Sequence, residues 1–291
     1  MNECDTDCME EDTATRLWLP PLALAGCVRG VMMRDTRGRG LGAVQRENYF
    51  PATPLVQLFW WAEGSSEWLD TPGFSVPPSE RHHAPFMFGG PFTLPSHTRN
   101  PGEISAFKLL MLPDAFIALT GVGLDRYVNQ VVDARELLPP DWLAWAEAMS
   151  AAADDAARLQ LLEAFLLPRW QALGTQRPGH RYAAWTEALA VRAATSAAGR
   201  SLRQLERRIK AWAGLPMREL RAVSRAENAF YAVAAAEGDG SLNWADIAAD
   251  NDYADQSHLC RETRRLTGFS PEDLRRRIQT EEAFWAYRLW R

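Results

Sequence analysis

The sequence has few cysteines, almost no lysine and no long apolar run. Its four cysteines, Cys4, Cys8, Cys27 and Cys260, are too few and too scattered for a disulfide framework, which fits a reducing cytoplasm. No stretch of about 18 apolar residues occurs, so the sequence predicts no transmembrane helix. The acidic start lacks the basic and apolar segments of a secretory signal. We therefore expect a cytoplasmic protein that does not associate with membranes.

The scarcity of lysine leaves arginine to carry the positive charge, because Lys108 and Lys210 are the only lysines. The net charge of −5 comes from an acidic first part of the chain, whereas residues 181–291 carry a small basic excess. Such a balance does not by itself identify a nucleic-acid-binding protein. Arginine nevertheless suits phosphate groups and guanine edges better than lysine, because its planar fork donates in pairs.

The length of 291 residues favours two domains, and the composition changes along the chain accordingly. Residues 28–112 contain short apolar or alternating runs between turn-forming residues, which predicts strands. From Pro113 onward the spacing is helical at 114–120, 140–150 and 154–172. Residues 174–179 are the best candidate for a linker, and the remaining chain is helical.

The predicted fold class is therefore α+β. We expect a disordered acidic tail at 1–15, a β-rich sensory or dimerisation domain with C-terminal helices at 16–173, and an all-α domain at 180–291. Cys4 and Cys8 in the tail are compatible with a soft metal site or a redox pair, but further ligands nearby are missing, which favours a simple tail.

The helical end contains an internal repeat with an offset of 54 residues. The matching pairs are Ala194 and Ala248, Leu205 and Leu259, Arg207 and Arg261, Gly214 and Gly268, Leu220 and Leu274, and Arg221 and Arg275. Each copy has the same plan, a short helix, a tight turn and a second helix that ends at glycine. This plan is that of a helix-turn-helix unit.

In the first copy, Ser201 and Gln204 form a predicted capping box at the start of the second helix. The apolar residues of that helix recur at helical spacing and predict a buried stripe. They are Leu202, Leu205, Ile209 and Trp212. Another face carries the basic residues Arg200, Arg203, Arg207 and Lys210. A helix with a line of guanidinium groups on its wet face is shaped for a major groove.

In the second copy, Asn243 is predicted to cap a helix at 244–249, and Asp255 to cap the helix that follows. Leu259, Thr263 and Leu266 form its predicted buried stripe. The exposed face holds Ser257, Arg261 and Arg264, with Gln256 and His258 near the amino end that usually meets base edges. Ser270 then caps another helix, whose first turn contains a proline and two acidic residues.

Between the copies, the sequence predicts one continuous helix from Met217 to about Glu237. About 20 residues at 1.5 Å each span roughly 30 Å. Successive major grooves on one face of B-DNA lie about 34 Å apart, so a rigid spacer of this length suits two grooves.

These two copies resemble the double helix-turn-helix domain of the AraC/XylS family of transcription regulators. In the first copy the resemblance rests on residues 201–210 and Gly214, and in the second copy on residues 247–261 and 266–271. It covers residues 185–280 approximately. Three features depart from the family pattern. Thr263 stands where phenylalanine is usual, Asp252 stands where glycine is usual, and residues 214–216 are one residue tighter than the usual Gly-x-Ser-Pro. Aspartate tolerates a left-handed backbone at some cost.

The resemblance implies a sequence-specific DNA-binding regulator with two recognition helices. It points to Arg203, Arg207, Gln256, Ser257 and Arg261 as groove-facing. With neighbours on the same helices, the predicted DNA-binding residues are Arg203, Gln204, Arg207, Arg208, Gln256, Ser257, His258, Arg261 and Arg264. Glu206 and Glu262 lie beside these arginines, where they either hold them by helical pairing or tune base choice.

The β-rich part is similar in layout to the cupin-like sensory domains that precede many such DNA-binding halves. The resemblance implies binding of an unnamed effector or formation of a homodimer, and contact with RNA polymerase if the protein activates transcription. His82, His83 and His97 lack the paired spacing of a cupin metal site, so we predict no metal and no cofactor. Of the adjacent Trp60 and Trp61, one should face inward, where a place in the core is favoured over an effector pocket.

The sequence shows no Ser/His/Asp set, no phosphate-binding glycine loop and no zinc motif, so an enzyme is not predicted. Two alternatives stay open at this point. The β-rich domain is either a regulator's sensor or a cupin-like enzyme or ligand-binding protein, and the helical half is either a DNA-binding module or a protein-interaction module. Duplex DNA affinity measured against salt distinguishes them.

Overall fold

The computed structural model describes residues 14–69, 73–75, 86–174, 181–196 and 201–290. Cys4 and Cys8, His82 and His83, Arg200, most of the predicted linker and nearly all of the predicted tail lie outside the described residues. The first described strand begins at Thr15, and the last described residue is Trp290.

The first half of the described chain is built from antiparallel strands. The strands are β1 Thr15–Trp18, β2 Val28–Asp35, β3 Glu47–Phe50, β4 Val56–Glu63, β5 Glu67–Trp68, β6 Phe86–Gly89, β7 Ser96–Arg99, β8 Ser105–Met111 and β9 Val131–Asp133. One sheet has the order β1-β2-β8-β4-β6-β9, and a second, smaller sheet has the order β3-β7-β5. This confirms the β-rich N-terminal region, and the two-sheet layout agrees with the expected cupin-like domain.

The two faces of the larger sheet have different neighbours, because side chains alternate along each strand. Leu58 and Trp60 of β4 are buried against the helices that follow the sheet, and the Trp60 ring lies 5.3 Å from that of Trp145. Phe59, on the opposite face, packs with Met87 and with Phe92 of the loop that leads to the smaller sheet. The interior between the sheets is therefore lined by the Phe59 side of the sheet, as the alternation predicts.

The rest of the described chain is mainly helical. The helices are α1 Pro113–Thr120, α2 Pro140–Ala151, α3 Asp155–Ala172, α4 Tyr182–Thr195, α5 Leu202–Ala213, α6 Met217–Asp239, α7 Trp244–Asp250, α8 Gln256–Thr267, α9 Pro271–Thr280 and α10 Trp285–Arg288. Each predicted helix is present within one or two residues of its predicted ends. No helix of the described part is long and apolar enough to cross a membrane.

The β-rich half and the helical half share one hydrophobic core. The main buried cluster extends from the larger sheet through Trp142 and Leu166 to Trp185 of α4 and Ile209 of α5. Polar contacts join the halves as well. The buried carboxylate of Asp114 accepts hydrogen bonds from Trp185 Nε1 and Arg192 Nη1, both at 3.0 Å. The helical half therefore sits on the β-rich half through a continuous packed interface.

A second set of interdomain contacts lies nearer the carboxyl end. Arg29 of β2 and Glu227 of α6 form an ion pair of 2.8 Å, with both side chains under one-tenth exposed. Trp285 Nε1 donates to Asn48 Oδ1 at 2.8 Å. Such buried pairs are costly to break, because removal of one partner leaves the other desolvated and unpaired.

Candidate DNA interface

The first helix-turn-helix unit consists of α4 and α5. Ser201 caps α5, since its hydroxyl accepts from the backbone N–H of Gln204. In return, the side-chain oxygen of Gln204 accepts from the Ser201 N–H at 3.2 Å. The predicted capping box is confirmed. The helix ends at Gly214, whose φ of 72° is left-handed and therefore suits glycine.

The apolar stripe of α5 is narrower than predicted. Ile209 is 4% exposed, and Leu205 and Trp212 are half-buried, but Leu202 is 81% exposed. The assignment of Leu202 to the buried stripe was wrong. Leu202 is the first residue of the helix.

The exposed face of α5 carries Arg203, Arg207 and Lys210, as predicted. No hydrogen bond or ion pair joins the side chains of these three residues to another described residue. Two other predicted residues have partners within the protein. Gln204 completes the helix cap, and Arg208 Nη2 donates to the Ala193 carbonyl at 3.0 Å, which ties α5 to the end of α4.

The second unit consists of α7 and α8. Asn243 caps α7 and Asp255 caps α8, and both predicted caps are confirmed. In the turn between the helices, Asp252 has a φ of 60°, the left-handed conformation inferred from its place in the pattern. The polar turn residue thus takes up the conformation that glycine usually supplies.

The exposed face of α8 carries Gln256, Ser257, Arg261 and Arg264. None of these side chains forms a hydrogen bond or ion pair with another described residue. His258 differs, because its Nδ1 accepts from the Ala254 N–H at 3.2 Å. In the predicted inner stripe, Leu259 and Leu266 are each 2% exposed, while the smaller Thr263 is half-buried.

The two acidic residues beside the arginines each contact helix α6. Glu262 forms a two-pronged ion pair with Arg225 of α6, with the closest distance 2.8 Å. Glu206 accepts from the Met217 N–H at the start of α6, at 3.4 Å. Neither carboxylate pairs with a groove-facing arginine of its own helix among the described residues. Both instead connect a recognition helix to the central helix.

Helix α6 supports both units. It spans 23 residues, which corresponds to about 35 Å at 1.5 Å per residue. Leu220 and Val223 are buried near its start, and Ala229 and Val233 are buried further along, where they contact the second unit. The predicted continuous spacer is confirmed, and its length is close to the separation of successive major grooves.

One loop of the β-rich half touches both units at equivalent positions. A Cβ placed on Gly214 would lie 3.2 Å from Pro91, and one placed on Gly268 would lie 3.9 Å from Pro95. These glycines end α5 and α8 and are 54 residues apart. The loop between β6 and β7 therefore lies next to the carboxyl ends of both α5 and α8. In addition, the Ala52 N–H donates to the Leu266 carbonyl of α8 at 2.7 Å.

A cavity of about 200 Å³ separates the second unit from the β-rich half. Its walls include Leu110 from the larger sheet and Val223, Phe230 and Leu266 from the helical half. Lys108 of β8 also lines it, with Nζ 3.7 Å from the centre of the Phe50 ring. Burial lowers the pKa of Lys108 to about 7, because the charged form loses hydration.

The candidate metal ligands have ordinary structural roles where they are described. His97 Nε2 lies 3.1 Å from Glu47 Oε2, and its ring stacks on Tyr49 at 4.0 Å. Within the described ranges, no group of three or more His, Cys, Asp or Glu residues has a metal-binding arrangement. Trp60 belongs to the core, and Trp61 faces a smaller cavity between the sheets.

This geometry is that of a DNA-binding protein with two helix-turn-helix units. A family model described as a helix-turn-helix domain matches residues 194–277, which include α5 to α8 and most of α9. These residues form an AraC-type helix-turn-helix domain, as the resemblance implied.

No curated protein matches the chain. Among solved structures, the chain is similar to ToxT from Vibrio cholerae. An apo variant of ToxT is 10% identical over 84% of this chain and 96% of ToxT, with a TM-score of 0.39. ToxT bound to (E)-4-(8-methylnaphthalen-1-yl)but-3-enoic acid is 9% identical over 90% of this chain and 98% of ToxT, with a TM-score of 0.36. ToxT bound to an unsaturated fatty acid is 11% identical over 78% of this chain and 93% of ToxT, with a TM-score of 0.33.

Sequence patterns did not identify the residues that fix the units in place. Arg225 lies on α6, outside both recognition helices, and its pairing with Glu262 depends on tertiary contact. Lys108 was visible as one of two lysines, in the middle of an apolar strand. A charged residue within a buried strand was the signal that could have marked it.

Proposed function

We propose that the chain is a non-enzymatic transcription regulator that places α5 and α8 in successive major grooves of duplex DNA. The observation that carries this proposal is the matched exposure of Arg207 and Arg261. They are equivalent residues of the repeat, both are exposed, and their helices are held by one continuous helix, α6. Guanidinium groups in a groove donate to phosphate oxygens and to guanine edges.

Within the predicted set, exposure and partners divide the residues into two groups. The exposed side chains without a described partner are the proposed DNA contacts. They are Arg203, Arg207, Gln256, Ser257, Arg261 and Arg264. Gln204, Arg208 and His258 form contacts within the domain, and we propose that they position the recognition helices. Arginine and glutamine pair in two-pronged fashion with guanine and adenine respectively, so base choice would depend on the first group.

We further propose that an effector in the cavity between the halves modulates DNA binding. The support is the position of the cavity, whose walls come from both the larger sheet and helices α6 to α10. An occupant would act through different affinities for arrangements of the two halves. Dimerisation through the β-rich domain, contact with RNA polymerase and cytoplasmic location stay predictions.

Binding of the full chain to duplexes selected from a random library tests the DNA proposal. Anisotropy measured from 50 to 300 mM salt should show a steep loss of affinity, with a log–log slope of about −0.9 per phosphate contacted. Replacing the selected DNA site by an unrelated sequence of the same length should weaken binding by about 10³-fold or more. Failure to enrich any sequence, or an affinity independent of salt, would contradict the proposal.

A further inference from the structure

Two cavities meet at Lys108. The larger cavity, described above, lies between the β-rich half and the second helix-turn-helix unit. The smaller one, of about 70 Å³, lies between the two sheets. Lys108 and Gln57 line both cavities, together with Met32 and Phe50. This junction joins the interior of the β-rich domain to the surface that carries the DNA-binding domain.

The polar groups at the junction are donors without acceptors. Arg34 and Gln57 are each 3% exposed. Arg34 Nη1 donates to Glu282 at 2.9 Å, but Arg34 Nε, Arg34 Nη2 and Gln57 Nε2 have no hydrogen-bond partner. Lys108 Nζ has no hydrogen bond or ion pair with a described residue, and it contacts the rings of Phe50 and Phe59. A buried donor without a partner costs about 1–3 kcal/mol, so several at one place point to an acceptor that binds there.

Few acidic residues line the two cavities, and Glu282, which lies next to the smaller one, is paired with Arg34 at 2.9 Å. No aspartate or glutamate is among the described residues that line the smaller cavity. In the larger cavity, the described acidic residue is Glu227, which is paired with Arg29. Arg275 there is paired with Glu237 and Glu272. Lys108 is therefore the lining charge that has no ionic partner in the described part of the chain, and an anion would supply one.

The larger cavity is otherwise apolar. Its apolar walls on the helical side come from α6 to α10. They include Val223, Phe230, Val233, Ile247, Leu259 and Leu266. An apolar cavity of about 150 Å³ is large enough for benzene. The cavity of about 200 Å³ therefore suits a body of one aromatic ring or a short chain.

We infer that the junction binds a small organic monocarboxylate with an apolar body. The carboxylate would accept from Lys108, Gln57 and Arg34, and the body would fill the space against α6 and α8. This inference rests on the proposed function, since it assigns the effector class of that regulator. A ligand that touches both halves stabilises the arrangement in which α8 is docked on the β-rich domain.

Calorimetry on the full chain tests the inference with 4-phenylbutanoate, its neutral analogue 4-phenylbutanamide, and acetate. We expect saturable binding of the acid, and affinities at least tenfold weaker for the amide and for acetate. The acid supplies both the charge and the apolar body, whereas each analogue lacks one. Equal affinity for acid and amide, or no binding of the acid, would overturn the inference.

Lys108→Met is the informative variant, because it keeps the length of the side chain and removes the unpaired charge at the junction. It should still fold and should bind 4-phenylbutanoate at least tenfold more weakly. Lys210→Met, which changes the other lysine of the chain on the exposed face of α5, is the matched control and should bind the acid as the unchanged protein does. Unchanged affinity in Lys108→Met would reject the assignment.

A spectroscopic measurement adds an independent readout. With ¹³C-labelled lysine the full chain gives two lysine side-chain signals, and the Lys210 signal serves as a reference. The acid should raise the pKa of Lys108, because a carboxylate nearby favours its charged form, whereas the amide should not. These measurements are made without DNA, so their outcome tests the ligand site independently of DNA binding. Absence of DNA binding would separately contradict the proposed function.

Discussion

Arg225 on α6 and Glu262 on α8 form a two-pronged ion pair that fixes the second recognition helix to the central helix. Three nitrogen–oxygen distances lie between 2.8 and 3.2 Å, and the Glu262 side chain is 10% exposed. Because Glu262 follows Arg261 directly, the pair also fixes the orientation of the exposed side of α8. A carboxylate on a recognition helix thus has a positioning role.

Replacement of Glu262 by alanine should destabilise the helical half by about 1–3 kcal/mol, because Arg225 would be left partly buried and unpaired. Denaturant unfolding, followed by circular dichroism, measures this change. Glu63→Ala is the matched control, because Glu63 pairs with Arg37 on the exposed surface, where the loss should be under about 1 kcal/mol. An equal effect of the two substitutions would contradict a positioning role for the Arg225 pair.

Arg207→Ala and Arg261→Ala should each weaken binding to the selected site by about 1–3 kcal/mol if the arginine contacts a base. Anisotropy with the selected duplex and with an unrelated duplex separates the two kinds of contact. A loss confined to the selected duplex indicates a base contact, and a uniform loss with a shallower salt slope indicates a phosphate contact. Arg135→Ala, in an exposed pair with Asp133 on the β-rich half, should leave both affinities unchanged.

Asp252→Gly should stabilise the second unit by about 0.5–1 kcal/mol, since glycine adopts a φ of 60° without the steric cost borne by aspartate. The same substitution at Asp246, inside helix α7, should instead destabilise by about 0.5–1 kcal/mol. Thermal unfolding of the two variants gives the comparison. Destabilisation by Asp252→Gly would show that the aspartate side chain contributes more than its backbone strain costs.

Lys108→Met should make the ligand-free protein more stable at pH 6, by about 2–4 kcal/mol, because it removes a partly buried charge that the folded protein hydrates poorly. The pKa of Lys108 is lowered to about 7 from its ordinary 10.5, so between these values the unfolded chain binds more protons than the folded one. The stability of the unchanged protein should therefore rise with pH in this window relative to the variant, and the difference should stop changing with pH above it. Urea titrations from pH 6 to 10 measure it.

The other titratable groups that line the two cavities are present in both proteins, so the difference isolates Lys108. They are Arg29, Arg34, Tyr182, Glu227, Tyr231, Arg275 and Tyr287. A stability difference that does not change with pH would show that Lys108 keeps an ordinary pKa in the folded protein.

Local patterns predicted the helical half well. Helix caps at Ser201, Asn243 and Asp255 were correct because a cap depends on residues within one turn of each other. The repeat placed Arg207 and Arg261 on exposed faces, because an amphipathic helix buries its apolar side wherever it packs. Leu202 was wrongly predicted to be buried, since helical periodicity identifies the apolar face but not how far along the helix that face is covered by other elements.

Strand pairing and the contacts of polar side chains were beyond local patterns. Arg208 has the same sequence signature as its neighbour Arg207, yet it bonds to the Ala193 carbonyl of another helix. The roles of Glu206 and Glu262 stayed open in the sequence for the same reason. Each depends on which side chain from a distant segment comes within hydrogen-bond distance, and that distance is set by packing.

The sequence by itself determined the helix-turn-helix units, their spacing and their arginine faces, because caps, turns and amphipathic periods are local properties of the chain. Only the tertiary structure decided that the β-rich half lies next to both units at Pro91 and Pro95, and that Lys108 lies unpaired where two cavities meet. Those features depend on the docking of surfaces far apart in the chain, which arises from complementary shape and burial and leaves no periodic signal in the sequence.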